Sequence, residues 1–309
     1  MSKAPNRQRF QQQVQLLLEV LPFVTSDPRF ALKGGTAINL FIRDMPRLSV
    51  DIDLTYLSIE PRTESYTTIN AILKNAAEEI TRRFKTIRVT PSKPFNSGSE
   101  LKLIVASSEA TIIVEPNYIL RGSVFPPVAR SLSESCRRDF GVAVTTQTLS
   151  FEDIYGGKIC AALDRQHPRD LFDVKVLLEN EGISRELMTA FLVYLISHNR
   201  PISEVLSPNL KDLSAIYAAE FSGITVKSVS LDELVATRAQ LITTLHKHLT
   251  DPDRAFLLAF KAGRPDWSSF DHPHVQNFPG ILWKVKNLEK LSFIKLRESI
   301  AKLEKVLAK

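Results

Sequence analysis

A glycine pair lies between an apolar run and a helical stretch, and two acids one residue apart follow soon after. This is the feature that most limits what the chain can fold into. The residues are Leu32-Lys33-Gly34-Gly35-Thr36-Ala37, then Arg47-Leu48-Ser49-Val50-Asp51-Ile52-Asp53-Leu54. Ala31-Leu32 closes a short strand. Gly34 and Gly35 lack a Cβ, so the backbone can turn sharply and a ligand can come close to it. Thr36 to Arg43 follows as a helix with Ala37, Leu40 and Phe41 on one face. A glycine turn opening a helix presents N–H groups to an anion, phosphate above all. Asp51 and Asp53, alternating with Ile52, point to one side of a strand while Ile52 and Leu54 face the core. Two carboxylates held together need neutralising, and a hard divalent cation such as Mg²⁺ (or Mn²⁺) with oxygen ligands does so.

On either side of this stretch the periodicity predicts mixed structure. Residues 6–24 form an amphipathic helix with Phe10, Val14, Leu17, Leu18 and Leu21 on one face, ended by Pro22 and the Ser26-Asp27-Pro28 turn. Ser65 to Phe84 is a second long helix, Ile87 to Thr90 a short strand, and Pro91 to Glu100 a turn or loop. Leu101–Ala106 and Ala110–Val114 form a hairpin closed by Glu115-Pro116-Asn117. Pro126-Pro127 and the polar run from Ser131 to Ser135 mark a connection. Beyond Ser150 helical periodicity takes over, with helices expected at 151–164, 170–179, 185–197, 231–249, 252–262 and 288–307. The expected class is α+β: a small mixed sheet with helices over 1–130, then a helical domain over 131–309.

Composition narrows the setting. Two cysteines in 309 residues, Cys136 and Cys160, are too few for a disulfide scaffold. No apolar run approaches the ~18 residues of a membrane span, so no membrane partner is expected. The N-terminus lacks an apolar signal segment, and the expected compartment is the cytoplasm. The net charge of +6 is compatible with a nucleic-acid partner without demanding one. Eight Lys or Arg face three Glu over 281–309, which suits the final helix either to RNA phosphate or to a solvated surface. Trp283 is expected in the core, and the six histidines form no metal-binding pattern.

A second constellation spans Ser150 to Val174. Ser150 and Asp153 have capping-box spacing. Lys158 projects beside the apolar stripe of its helix, either as a snorkelling lysine or as a cation for triphosphate oxygens. Asp170 follows Pro168-Arg169 as a first-turn acid of the next helix, and Asp173 lies one turn on along the same side. Arg165 and Arg169 are candidate partners for these acids. Glu115, at the end of an apolar strand, is either a third carboxylate for a metal site or an ordinary strand-end acid.

The glycine turn at Gly34-Gly35 followed by Asp51 and Asp53 resembles the first motif of the nucleotidyltransferase superfamily. More narrowly, Lys-Gly-Gly-Thr-Ala with Arg-x-Ser-x-Asp-Ile-Asp-Leu looks like the AbiEii/AbiGii (MenT-like) toxins of bacterial toxin–antitoxin and phage-defence systems. Lys-x-x-Ala-Ala-Leu-x-Arg with Arg-Asp-Leu-Phe-Asp-Val resembles that family's later motifs, and Pro279-Gly280-Ile281-Leu282-Trp283-Lys284 its closing one. The resemblance implies metal on Asp51 and Asp53, with Glu115 as a possible addition. It implies NTP held by Gly34, Gly35, Thr36, Arg47, Ser49 and Lys158, and an active site completed by Asp170 or Asp173. It also implies NMP transfer to the 3′ end of tRNA and a cognate antitoxin. The rival expectations are a protein or small-molecule acceptor and a non-catalytic nucleotide-binding module. If one nucleotide uses both stretches, Lys158 comes within roughly 10 Å of the acid pair, in a cleft between the domains.

Overall fold

The structure, a computed structural model, describes residues 4–93, 100–270 and 272–308. The chain forms two compact units: residues 1–150 with 223–228, and residues 151–222 with 229–309.

The first unit opens with α1 (Ala4–Val24), which buries Val14, Leu17, Leu18 and Leu21. It continues past Pro22, and the Thr25 N–H still reaches the Leu21 carbonyl at 3.1 Å. Next come β1 (Phe30–Lys33), the short α2 (Gly34–Thr36) and a π-helical segment Ala37–Ile42. Then follow β2 (Ile52–Tyr56), α3 (Arg62–Arg83), β3 (Arg88–Ser92), β4 (Lys102–Ala106), β5 (Thr111–Asn117), β6 (Val128–Ser131), α4 (Glu134–Phe140) and β7 (Thr145–Thr148). Part of the expected 91–100 loop, residues 94–99, lies outside the described residues, while Pro91 and Ser92 belong to β3.

The seven strands form one mixed sheet in the order β3-β4-β5-β2-β1-β7-β6. β1 runs antiparallel to β2 and parallel to β7, and β2 runs parallel to β5. Ile52 and Leu54 are fully buried, as alternation along a half-buried strand requires. The sheet extends beyond the expected boundary at residue 130, because β6 and β7 complete it. β7, Thr-Thr-Gln-Thr, has β-branched residues suited to a strand but no apolar alternation to reveal it. The polar run from Ser131 to Ser135 leaves β6 and enters α4. Residues 223–228 return to the first unit as a clip: the Leu48 N–H reaches the Ile224 carbonyl (3.1 Å) and the Val226 N–H the Pro46 carbonyl (2.9 Å).

The second unit is helical. It contains α5 (Phe151–Asp164), α6 (Pro168–Asn180), α7 (Arg185–Ser197), α8 (Ile202–Leu206) and α9 (Ser214–Ile216), which continues as a π-helical segment Tyr217–Phe221. After the clip come α10 (Leu231–His248), α11 (Asp251–Lys261), α12 (Pro279–Leu288) and α13 (Phe293–Leu307). Capping boxes, Ser230 with Glu233 and Thr250 with Asp253, start α10 and α11. α5 and α7 approach backbone to backbone at Gly156, where a Cβ would lie 2.9 Å from the Phe191 nitrogen. The long helix expected over 288–307 is instead the end of α12 and a separate α13, whose N-cap Ser292 accepts from the Lys295 N–H. Trp283 does not enter the core; it is 50% exposed on α12.

Candidate functional site

The residues singled out in the sequence gather into two clusters, one in each unit. In the first unit the strand register does the positioning. Lys33 lies opposite Asp53 across the β1–β2 pair, and Glu115 lies beside Asp53 across the β2–β5 pair. Side chains in register share a face of the sheet, and Lys33, Asp53, Glu115 and Tyr118 help line a pocket of about 230 Å³.

The glycine turn packs directly onto this row. Gly34 has φ +72°, the left-handed region that side chains with a Cβ rarely adopt. A Cβ there would run into Asp53 Oδ2 and lie 3.1 Å from the Asp53 Cβ. At Gly35 an added Cβ would lie 2.7 Å from Ser49 Oγ and 2.9 Å from Arg47 Nη2. Gly34 is therefore required by its backbone conformation, a Cβ at Gly35 would push the Ser49 and Arg47 side chains aside, and Asp53, Ser49 and Arg47 lie against the start of one helical stretch.

The Thr36 hydroxyl is fully buried. It donates to the Asp51 carbonyl at 2.5 Å and lies 3.2 Å from Ser49 Oγ, so it fastens the Ser49–Asp51 segment to the helix start. Arg47 is buried too, with Nη1 donating to the Leu48 carbonyl at 2.9 Å. Asn39, which the sequence reading missed, donates to the Gly35 carbonyl at 2.9 Å and is fully buried. An asparagine four residues beyond a glycine inside an apolar helix was the available signal.

Asp51 is exposed and Asp53 half-buried. Their oxygens are the hard donors that Mg²⁺ or Mn²⁺ takes, and such ions commonly use one or two carboxylates plus substrate phosphates. Glu115 forms an ion pair with Lys102 at 3.3 Å. Among the described residues no three His, Cys, Asp or Glu side chains are grouped to hold a metal. The donor set fits a metal shared with a phosphate substrate, not one enclosed by protein.

In the second unit α5 and α6 meet at a buried ion cluster. Lys158 Nζ lies 2.9 Å from Asp170 Oδ1 and 3.1 Å from Asp173 Oδ2, and Arg165 reaches the other Asp170 oxygen at 2.8 Å. Lys158 is 7% exposed and Asp173 1%. Both acids thus face one ammonium, and Asp173 has a structural reason to be there that the sequence did not reveal. Asp170 also sits in the first turn of α6, after the N-cap His167, whose Nδ1 accepts from the Arg169 N–H. Burial pushes the His167 pKa down, which favours the neutral ring with its proton on Nε2, 3.1 Å from Glu220. Arg169 pairs with Glu220 (3.0 Å) instead of with either aspartate.

The turn between α5 and α6 depends on Gln166, another residue the sequence reading passed over. It has φ +55°. Its amide donates to the Asn209 carbonyl (2.8 Å) and accepts from the Lys211 N–H (3.0 Å) and Arg238 Nη1 (2.7 Å). Ser150 directly precedes α5, and Asp153 in its first turn accepts from the Tyr194 hydroxyl at 3.1 Å.

A mixed sheet that carries a glycine turn against an acidic strand, joined to a helical unit with a lysine–aspartate cluster, is the build of a nucleotidyltransferase toxin. Residues 15–278 match the family described as nucleotidyl transferase AbiEii toxin, type IV toxin–antitoxin system, and the chain belongs to that family. In fold it is similar to MenT4, a nucleotidyltransferase toxin from Mycobacterium tuberculosis H37Rv. The TM-score is 0.61 at 14% identity, over 98% of this chain and 95% of that one. No curated protein matches it in sequence. Family membership implies an NTP substrate and an antitoxin counterpart. Among the described residues no helix is long and apolar enough to cross a membrane.

Proposed function

We propose that the protein transfers an NMP from an NTP to the 3′ end of tRNA in the cytoplasm, releasing pyrophosphate and arresting growth, in the setting of phage defence. The observation that carries this reading is the close packing of the Gly34–Gly35 turn on Asp53, Ser49 and Arg47, which sets backbone N–H groups, a hydroxyl and a guanidinium beside an acid.

Backbone N–H groups at Gly34 and Gly35, with Ser49 and Arg47, hold the triphosphate. Thr36 acts as a positioning residue through the Asp51 carbonyl. Asp51 and Asp53 hold Mg²⁺ or Mn²⁺, which when bound supplies charge neutralisation to the triphosphate. Glu115 joins them only where its pairing with Lys102 gives way.

The acceptor hydroxyl attacks the α-phosphorus, forming the new O–P bond and releasing its proton to solvent. The bond from that phosphorus to the bridging oxygen breaks, and the electron pair leaves with pyrophosphate. Lys158, held by Asp170 and Asp173, brings a cation to the leaving group as charge builds there. That the two clusters serve one nucleotide is part of the proposal.

The test is incubation with each of four labelled NTPs, Mg²⁺, and total tRNA or total protein. Label in the tRNA fraction is expected, and label in protein alone would overturn the acceptor. Asp51→Asn and Asp53→Asn should each lower transfer by about three orders of magnitude or more, since positioning and charge neutralisation are lost together, with little change in melting temperature. Near-wild-type transfer at saturating Mg²⁺ by either variant would remove that acid from the metal site.

A further inference from the structure

The last two helices, α12 and α13, expose large apolar side chains that a folded domain normally covers. Phe293 is 77% exposed, Ile294 69%, Leu282 54% and Trp283 50%. Cations interleave with them. On α12, Lys286 follows Trp283 by three residues; on α13, Arg297 follows Phe293 by four, and Lys290 lies in the turn between the two helices. These spacings put each aromatic ring and a cation one turn apart on one helix face. Lys286, Lys290, Lys295 and Arg297 are all exposed. Residues 281–309 carry a net +5, in a chain whose total is +6. Two copies of such a surface repel each other, and the charge calls for a polyanion.

We propose that the exposed stretch from α12 through α13 is a platform for single-stranded RNA, with bases stacked on Trp283 and Phe293 and phosphates held by Lys286, Lys290, Lys295 and Arg297. A single strand repeats an apolar base and an anionic phosphate, and this stretch repeats a ring and a cation. Stacking of this kind accepts any base, and the cations track the backbone. Leu282 and Ile294, beside the rings, cover the edges of stacked bases. Duplex RNA cannot use the rings, because its bases are already stacked in pairs. The proposal deepens the RNA-acceptor reading and rests on it for its biological role, although binding can be measured without transfer.

The experiment titrates full-length protein, without NTP, into a short unstructured fluorescent oligoribonucleotide and into a duplex of the same length. Wild type should prefer the single strand. Trp283→Ala and Phe293→Ala should each weaken binding about ten-fold or more, while Trp283→Phe and Phe293→Tyr retain most of it. Lys286→Ala should reduce the steepness of the log K against log[salt] plot by about 0.7. Unchanged affinity in both alanine variants, or equal binding of duplex, overturns the platform. So does a concentration-dependent dimer or protein complex that both alanine variants abolish while RNA binding stays intact. Transfer to total tRNA is followed in parallel. Labelled tRNA with no ring-dependent RNA binding refutes the platform alone. Ring-dependent binding without labelled tRNA refutes the acceptor reading alone.

Discussion

Lys158 has a structural place and a proposed catalytic one, and mutation can separate them. Its ammonium sits between Asp170 and Asp173 in a buried cluster, and removing one partner of a buried pair leaves an uncompensated charge. Lys158→Met should therefore destabilise the fold by about 3–5 kcal/mol, read as a lower urea midpoint. Adding Asp170→Asn and Asp173→Asn to that variant removes the excess buried negative charge and should recover part of the lost stability, less what the Arg165–Asp170 pair contributed. Transfer should stay absent, because the cation for pyrophosphate is gone. Recovery of transfer along with stability would make Lys158 purely structural. The chemistry-bearing residues of both clusters were legible in the sequence because their types are costly to bury or crowd without a reason. What their side chains touch was not legible. Asp173 needed α6 laid against α5, and the buried Thr36 hydroxyl needed the Ser49–Asp51 segment folded over it.

Helices and strands were recovered where apolar periodicity is strong and missed where a polar or β-branched run forms structure by joining something distant. α5 begins and ends where its pattern does, whereas β7 shows no such pattern and depends on β1 and β6 as neighbours. The clip over 223–228 is of the second kind. Its Val226 side chain is 77% exposed, so Val226→Pro chiefly removes the N–H that reaches the Pro46 carbonyl. Arg47, one residue on, is then less firmly held beside Gly35. NTP affinity should weaken several-fold in an equilibrium titration while the melting temperature moves little; unchanged affinity would free the clip of any part in the site.

Lys284 on α12 ties down the end of α7. Its Nζ donates to the His198 and Arg200 carbonyls, each at 2.6 Å, while burial and the nearby Lys261 push its pKa down to about 8. The unfolded chain then holds more protons than the folded one between pH 8 and the ordinary lysine range. The cost of burying this charge is present in full below pH 8 and disappears as pH rises above it, a change of at most about 3 kcal/mol. Urea midpoints at pH 7.5 and 9.5 should show wild type gaining stability relative to Lys284→Met as pH rises. A difference that does not change with pH would contradict this assignment.

In the molecule as a whole, the chain passes between its two units three times, after residues 150, 222 and 228. A fragment ending at Ser150 holds all seven strands but lacks the residues that clip Pro46 to Leu48. Its sheet should form, and hydrogen exchange at Leu48, whose N–H is held by Ile224 in the full chain, should be markedly faster than in the intact protein. Adding a peptide of residues 223–228 at high concentration should slow it again. Equal protection in fragment and full chain would mean the clip adds nothing.

The same routing sets an order of events during synthesis. The sheet, with its glycine turn and acid pair, leaves the ribosome first, but the clip emerges only after residues 151–222 have been added. At ~5–20 residues per second that is a delay of roughly 4–14 s. A nascent toxin thus passes through an interval in which its proposed phosphate site is made but not yet fastened, and its translating cell would meet the finished grip only once most of the chain exists.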